Sequence, residues 1–138
     1  MKRDQLVAAA REAAEYAYAP YSGFRVGAAL LADDGRIFTG ANVENAAYPS
    51  SNCAEATAVA HAASEGMRKI KEAAVACIDA TSLDGAYPCG RCRQILNEFE
   101  AEVVYVATAS GDARTHTLAE LLPHGFKLDS HMRTQGSS

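Results

Sequence analysis

Two short stretches of the sequence carry groups that could bind a metal ion and move protons. They are Asn52-Cys53-Ala54-Glu55 and Pro88-Cys89-Gly90-Arg91-Cys92. With three protein ligands a zinc ion keeps its fourth tetrahedral position open for water, whereas four ligands close a structural site. Glu55 is too close to the first thiol to be a second ligand from that stretch, but it is well placed to reach the open position. The spacing predicts a catalytic zinc site whose ligands are Cys53, Cys89 and Cys92, with Glu55 as the proton carrier.

Both stretches stand at the predicted start of a helix. Unpaired backbone N–H groups and the helix dipole there favour anions and lower the pKa of a thiol. Cys89 and Cys92 are three residues apart, so on a first helical turn they share one face. Zinc lowers the pKa of bound water, so hydroxide becomes available near neutral pH as a nucleophile. Glu55 can move protons between this water and a bound substrate, and such a hydrolysis needs no organic cofactor.

Further motifs extend this pattern over most of the chain. A metal ligand followed by x-Glu and later by Pro-Cys-x-x-Cys is a signature of zinc deaminases that act on nucleobases. Beside it stand Tyr18-Ala19-Pro20-Tyr21-Ser22-Gly23-Phe24-Arg25-Val26-Gly27-Ala28, Asn42-Val43-Glu44-Asn45-Ala46 and Glu120-Leu121-Leu122-Pro123-His124-Gly125-Phe126. With these motifs in this order, the sequence resembles the cytidine deaminase family, specifically its small members with three cysteine ligands. The resemblance implies hydrolytic deamination of cytidine and deoxycytidine to uridine and deoxyuridine, with release of ammonia, in pyrimidine salvage.

The resemblance also implies a set of substrate contacts. Phe24 is expected to pack against the base, and Ala54 to offer it a backbone group. Asn42 and Glu44 are expected to hydrogen-bond the ribose 3′-hydroxyl, which would favour nucleosides over free bases. Family members of this size commonly form homotetramers in which Phe126 of one subunit reaches a neighbouring site.

The residue after the proton carrier departs from the family pattern. Typical small cytidine deaminases carry arginine there, whereas this chain has Ala56. Three thiolates overcompensate the charge of a divalent ion, so a nearby cation should help water activation. The sequence resembles the blasticidin-S deaminases in lacking that arginine and in having Pro-Cys-Gly-Arg-Cys. This suggests Arg91 as the charge-neutralising residue, although an ordinary surface charge on a helix is an equal alternative.

Composition sets the class of protein. The chain has 138 residues, 49% of them hydrophobic and 22% charged, which is the size and composition of one globular domain over residues 1–138. The net charge is -4 and basic clusters are short, as in Arg91-Cys92-Arg93, so we expect no polynucleotide partner. No apolar run approaches the ~20 residues that cross a bilayer, and the start lacks a secretory signal. We expect a cytoplasmic protein with a small substrate.

Hydrophobic periodicity predicts the element order αββαβαββα. Helices are expected from Asp4 to Tyr18, Ala54 to Glu65, Gly90 to Glu100 and Leu118 to Leu122. Strands are expected from Phe24 to Leu30, Ile37 to Val43, Ala73 to Ala80, Val103 to Ala107 and Thr115 to Thr117. The alternation indicates a layered α/β domain, and the resemblance implies a three-layer α/β/α sandwich with a mixed five-stranded sheet. Residues 127–138 read as a loosely held tail.

Several alternatives remain open at this stage. Cys77 could close a structural zinc site, although its apolar run Ala73 to Ile78 indicates a core position. The chain could be a zinc-stabilised binding module without catalysis. It could also deaminate a modified cytosine nucleoside or blasticidin S, which Ala56 and Arg91 favour. From alternation alone, Phe24 would be an ordinary core residue.

Overall fold

The computed structural model describes residues 2–128. The helices are α1 (Lys2–Ala14), α2 (Ala54–Ser64), α3 (Gly90–Glu98) and α4 (Leu118–Leu121). The strands are β1 (Val26–Ala32), β2 (Ile37–Ala41), β3 (Ile70–Cys77), β4 (Val103–Ala107) and β5 (Arg114–Thr117). Short 3-10 turns lie at Tyr48–Ser50 and Leu83–Ala86. The predicted order of elements is confirmed.

The five strands form one mixed sheet in the order β2-β1-β3-β4-β5. β1 and β2 are an antiparallel hairpin with Leu31 opposite Ile37, and the turn between them places Gly35 at φ 93°. β3 and β4 are parallel, while β1 with β3 and β4 with β5 are antiparallel. A parallel pair needs a crossover connection, which α3 provides. The second thiol stretch therefore lies in the crossover between two central strands.

Helices cover both faces of the sheet, as predicted. Ala29 and Leu31 of β1 face the cluster of α1, whereas Ala28 and Leu30 face the cluster of α2 and α3. Hydrophobic burial on both faces explains why this strand is nearly all apolar rather than alternating. Gly27 lets α1 lie so close that an added β-carbon would overlap the Ala10 carbonyl oxygen.

Helix α1 ends at Ala14, earlier than the predicted end at Tyr18. The backbone N–H of Tyr18 instead donates to the Asn42 carbonyl at 2.9 Å, and that of Glu44 donates to the Tyr18 carbonyl at 2.9 Å. These bonds with the segment after β2 replace the helical bonds that periodicity predicted. The chain turns at residues 15–18 and leads into the loop before β1.

Several strand boundaries also differ from prediction, among them the end of β2 at Ala41 instead of Val43. β1 begins at Val26 instead of Phe24. The side chain of Asn42 donates to the Phe24 carbonyl at 2.9 Å and accepts from the Val26 N–H at 2.8 Å, so these backbone groups are bound to a side chain rather than to a neighbouring strand. β3 runs from Ile70 to Cys77, three residues earlier than expected, and the chain turns directly after it. The predicted tail begins at residue 127, and its residues 129–138 lie outside the described ones. Within residues 2–128, no helix combines the length and apolar character that crossing a membrane requires.

Candidate active site

Two helix N-termini bring the three predicted thiols together. Cys53 is the N-cap residue of α2 and Cys89 that of α3, while Cys92 lies in the first turn of α3. The three Sγ atoms all lie within 4.8 Å of one another. Cys92 is buried, Cys53 is half-buried and Cys89 is exposed. The structure thus assembles a three-sulfur group from residues that are far apart in the sequence.

The protonation of the group suits a cation. The pKa of Cys53 is lowered to about 6, chiefly because Cys92 donates a hydrogen bond to its sulfur and also because Cys89 does so. The same hydrogen bond to Cys53, together with burial, raises the pKa of Cys92. The lowered pKa favours the thiolate form of Cys53 near neutral pH. A thiolate is the form of cysteine that binds metal, so this donor set fits a zinc ion.

Glu55 lies beside the sulfur group in the first turn of α2. Glu55 is buried, with only 4% of its surface exposed. Burial raises the pKa of Glu55 to about 7, and the negative charge of Cys53 adds to the effect. A carboxyl group with a pKa near the working pH can both accept a proton and return it. The residue predicted as the proton carrier is thus buried, close to the thiolate and poised near neutrality.

A cavity of about 190 Å³ opens onto these groups. Cys53, Ala54, Glu55 and Cys89 form one side of it. The rest of the wall is mainly apolar and includes Val26, Val75, Cys77, Ala86 and Tyr87. An apolar pocket with a few converging polar groups is the usual form of a small-molecule site.

Asn42 belongs to the same cavity and is buried. Its Oδ1 accepts from the Val26 N–H and its Nδ2 donates to the Phe24 carbonyl. The side chain therefore fixes the backbone on either side of Arg25. An asparagine amide nitrogen carries two hydrogens, so this role leaves it able to bind a ligand as well.

Glu44 lies outside this cavity, in an adjoining groove with Tyr21, Tyr48 and Ser51. Its Oε1 accepts from the N–H groups of Tyr21 and Ser22 at 3.0 and 3.1 Å, and its Oε2 accepts from the Ser22 hydroxyl. The hydroxyl of Ser22 is the main cause of the lowered pKa of Glu44. The carboxylate is ionised and holds the loop that precedes Phe24.

The two aromatic residues expected near the substrate are both exposed. Phe24 is 50% and Phe126 67% exposed, and neither is part of the cavity wall within the described chain. The backbone of Phe126 is tied to Gln94 of α3, whereas its ring stands in solvent. The structure of one subunit thus leaves both rings at the surface.

Arg91 is exposed, yet its charge reaches the sulfur group. Its guanidinium lowers the pKa of Cys53, both by its charge and by a hydrogen bond, after the larger effects of Cys92 and Cys89. Ala56, at the position where typical family members carry arginine, is half-buried in the first turn of α2. The cation predicted from the sequence therefore faces Cys53 rather than bulk solvent alone.

The sequence did not indicate the apolar part of the cavity wall, which includes Cys77 and Tyr87. Cys77 was assigned to the core, and it does pack there, but it also borders the cavity at the end of β3. It is not a member of the three-sulfur group found among residues 2–128. Tyr87 received no role, although its position two residues before Cys89 was a signal that it lies near the ligands.

Known proteins resemble this chain over most of its length. Residues 1–108 match the family model described as the cytidine and deoxycytidylate deaminase zinc-binding region. The chain belongs to the cytidine deaminase family. A cytidine deaminase from Sporosarcina psychrophila is 46% identical over 131 residues, which are 94% of each chain. One from Mycobacterium tuberculosis is 43% identical over 120 residues, covering 87% of this chain and 86% of its own.

A solved structure agrees with the fold in detail. The crystal structure of cytidine deaminase from Burkholderia pseudomallei superposes with a TM-score of 0.84 at 42% identity, covering 91% of this chain and all of that one. The predicted family and fold class are confirmed. Because the matched family region is zinc-binding and the three thiols are assembled, the predicted zinc cofactor is confirmed as well, and the chain is an enzyme rather than a binding module.

Proposed function

We propose that the protein is a zinc-dependent cytidine deaminase, which converts cytidine and deoxycytidine to uridine and deoxyuridine and releases ammonia. The observation that carries the proposal is the cavity that buried Glu55 shares with Cys53 and Cys89, two members of the three-sulfur group. Three thiols leave one coordination position of a tetrahedral ion for the reaction. Glu55 stands next to that position with a pKa of about 7. The reaction serves pyrimidine salvage.

The residues of the chain divide the work between holding and proton transfer. Cys53, Cys89 and Cys92 hold zinc, which when bound acts as a Lewis acid and makes water a stronger nucleophile at neutral pH. Glu55 accepts a proton from the attacking water and delivers it to the ring nitrogen. It then takes the second proton of that water, from the hydroxyl added to the ring carbon, and passes it to the exocyclic amine; the carbon–nitrogen bond breaks and ammonia leaves. The apolar wall formed by Val26, Val75 and Ala86 keeps bulk water from the carboxyl group.

The substrate contacts expected from the family are proposed on the following grounds. Ala54 lines the cavity at the first position of α2, where backbone N–H groups have no partner inside the helix. Asn42 lines it with an amide that can take one more hydrogen bond. Glu44 holds the loop that leads to Phe24, and its ionised carboxylate is an acceptor suited to a ribose hydroxyl. The exposed ring of Phe24 supplies a face for the base.

We infer that Arg91 offsets the excess negative charge of the three thiolates. Its effect on the pKa of Cys53 supports this role. The combination of Ala56 with Arg91 also keeps a second candidate substrate class open, namely a modified cytosine nucleoside or blasticidin S. The intact Asn42-Val43-Glu44-Asn45 motif favours ordinary nucleosides.

We further propose a single domain that assembles as a homotetramer with shared sites. The exposed ring of Phe126 on a fixed backbone supports a contact with a neighbouring subunit. Reduced thiols are maintained in the cytosol, so we place the enzyme in the cytoplasm.

The test of the function combines metal analysis with an ultraviolet assay of cytidine turnover. The zinc-loaded protein should deaminate cytidine, and Glu55→Gln should keep zinc and fold but lose about 10²–10⁴-fold in kcat, since an amide cannot carry the protons. Glu65→Gln, at the exposed end of the same helix, is the matched control and should keep full turnover. A zinc-loaded wild type without activity on cytidine, deoxycytidine, modified cytosine nucleosides or blasticidin S would refute the proposal.

A further inference from the structure

The side chain of Tyr87 joins the cavity wall to the edge strand β5. Tyr87 is half-buried, borders the cavity and stands two residues before Cys89. Its hydroxyl lies 2.7 Å from Nε2 of His116 and accepts a hydrogen bond from Nη1 of Arg114 at 2.9 Å. Arg114 and His116 alternate along β5 and so share one face of the sheet.

The hydroxyl of Tyr87 has two polar partners on β5. A guanidinium can only donate, so the Tyr87 oxygen accepts from Arg114. Its second partner is Nε2 of His116 at 2.7 Å, and the tautomer of the imidazole decides which of the two groups donates. Both contacts hold the hydroxyl against the edge strand.

Arg114 links the same strand to the turn before Tyr87. Its Nη1 also lies 3.2 Å from Oδ1 of Asp84, and its guanidinium stands 5.8 Å from the centre of the Tyr87 ring. The rings of Tyr87 and His116 are 5.3 Å apart. Edge strand β5 therefore contacts the chain segment 84–87 at several points just ahead of the second thiol stretch.

Cys89 is the exposed member of the sulfur group, so its position depends on the segment that carries it. On the far side of that segment, Nε of Arg93 donates to the Pro88 carbonyl at 2.9 Å. Before Cys89 in the chain, the hydroxyl of Tyr87 attaches the same segment to Arg114 and His116 of β5. Polar partners that orient metal ligands commonly change metal affinity when they are removed.

We propose that Tyr87 is a positioning residue for the zinc site. Its hydroxyl, held by β5, fixes the segment that places Cys89 beside the other two sulfurs. The inference deepens the proposed function and rests on it, because it takes the three thiols as the working zinc ligands. Tyr87 acts through Cys89 and is not itself a catalytic residue.

The experiment measures zinc release from the loaded protein to a chromogenic chelator, in the absence of substrate. Tyr87→Phe keeps the ring and removes the hydroxyl, and His116→Leu removes the imidazole partner of that hydroxyl. Each variant should release zinc about fivefold faster than the wild type, since one ordinary hydrogen bond contributes about 1 kcal/mol. His116→Gln places an amide, which can donate or accept, near the position of Nε2 and should restore retention.

Thr115→Ala is the matched control, since Thr115 is an exposed residue of β5 that points to the other face. It should release zinc as the wild type does. Combining Tyr87→Phe with His116→Leu should release zinc no faster than Tyr87→Phe alone, because that variant already lacks the hydrogen bond that His116→Leu removes. Wild-type release rates in both single variants would overturn the proposal. So would a lowered melting temperature without faster release, which marks a role in folding only. Because no substrate is present, these outcomes do not depend on which nucleoside the enzyme deaminates.

Discussion

Gln94 and the backbone of Phe126 exchange two hydrogen bonds. The Phe126 N–H donates to Oε1 of Gln94 at 3.1 Å, and Nε2 of Gln94 donates to the Phe126 carbonyl at 2.8 Å. Asn97 reaches the same carbonyl at 3.3 Å. Helix α3, which carries two of the thiols, therefore also fixes the residue whose ring is proposed to enter a neighbouring site.

This arrangement leads to a complementation test of shared sites. Phe126→Ala should lower kcat/KM by roughly 10–100-fold, the value of burying one aromatic side chain. A mixture of Phe126→Ala and Glu55→Gln subunits should turn over cytidine faster than the summed rates of the two variants measured separately. In mixed assemblies an intact Glu55 can be paired with an intact Phe126 from the other chain.

The control mixture combines Phe126→Ala with the double variant that carries both changes, which offers no intact Phe126. Turnover is measured after the subunits have exchanged, with sedimentation at the assay concentration. A fully active monomer, or mixtures that never exceed their components, would contradict the shared site.

The second prediction concerns Arg91 and Ala56. Removing the Arg91 charge should let the pKa of Cys53 rise, so Arg91→Ala should weaken zinc affinity by about 10–100-fold, as loss of a supporting contact commonly does. Adding Ala56→Arg to that variant should restore part of the affinity and of kcat. Competition with a chelator and cytidine assays measure the two effects. Unchanged zinc affinity in Arg91→Ala would remove this residue from the site.

The third prediction is a pH effect at Asp79. The side chain of Arg25 donates to both of its oxygens, and this contact is the main reason that the pKa of Asp79 is lowered to about 2. Because the folded pKa lies below the unfolded one, the contact stabilises the fold fully above about pH 4 and is lost as the pH falls toward 2. Side-chain carbon NMR should show the carboxyl of Asp79 titrating near pH 2.

In Arg25→Leu the same carboxyl should titrate close to the ordinary aspartate range, since its cationic partner is gone. Asp112, an exposed carboxylate on the loop before β5, serves as an internal reference in the same spectra. An Asp79 midpoint that does not move in Arg25→Leu would show that another group sets its pKa.

The fourth prediction addresses the contact of α1 with the sheet. A β-carbon at Gly27 would overlap the Ala10 carbonyl oxygen and crowd the Ala14 nitrogen, both of which are backbone atoms that cannot turn aside. Gly27→Ala should therefore lower the free energy of unfolding by about 1–3 kcal/mol or more. At Gly85 an added β-carbon would meet Ala80 at an ordinary 3.5 Å, so Gly85→Ala is the comparison in denaturant unfolding. Equal stability of the two variants would contradict the close packing.

The zinc group was predictable because its signals are local. Each thiol stretch begins a helix, and the three-residue interval of Cys89 and Cys92 fits a helical turn. What could not be predicted are contacts between distant segments. Glu44 binds the backbone of Tyr21 across 23 positions, and no local pattern indicates that its carboxylate faces that loop.

The ends of elements were less predictable for a related reason. Ala13, Ala14 and Ala17 satisfy a helical period equally well, and only the pairing of Tyr18 with the Asn42 segment ends the helix at Ala14. β3 begins at Ile70, but the polar residues Lys71 and Glu72 interrupt its apolar pattern, so periodicity predicted a later start. The apolar residues that follow them are buried. Tertiary hydrogen bonds and burial decided these boundaries, and propensity did not.

The placement of the thiols on either side of β3 in the chain has a consequence for chain entropy. Cys53 precedes α2 and the central strand, whereas Cys89 follows both. An ion shared by the two closes a loop of about 36 residues, and a covalent link across such a loop restricts an unfolded chain by about 4 kcal/mol. Removing zinc with a chelator should therefore open this loop as well as stop the reaction. The backbone amides of α2 and β3 should then lose protection from hydrogen exchange along the whole length of both elements, far from the sulfur atoms.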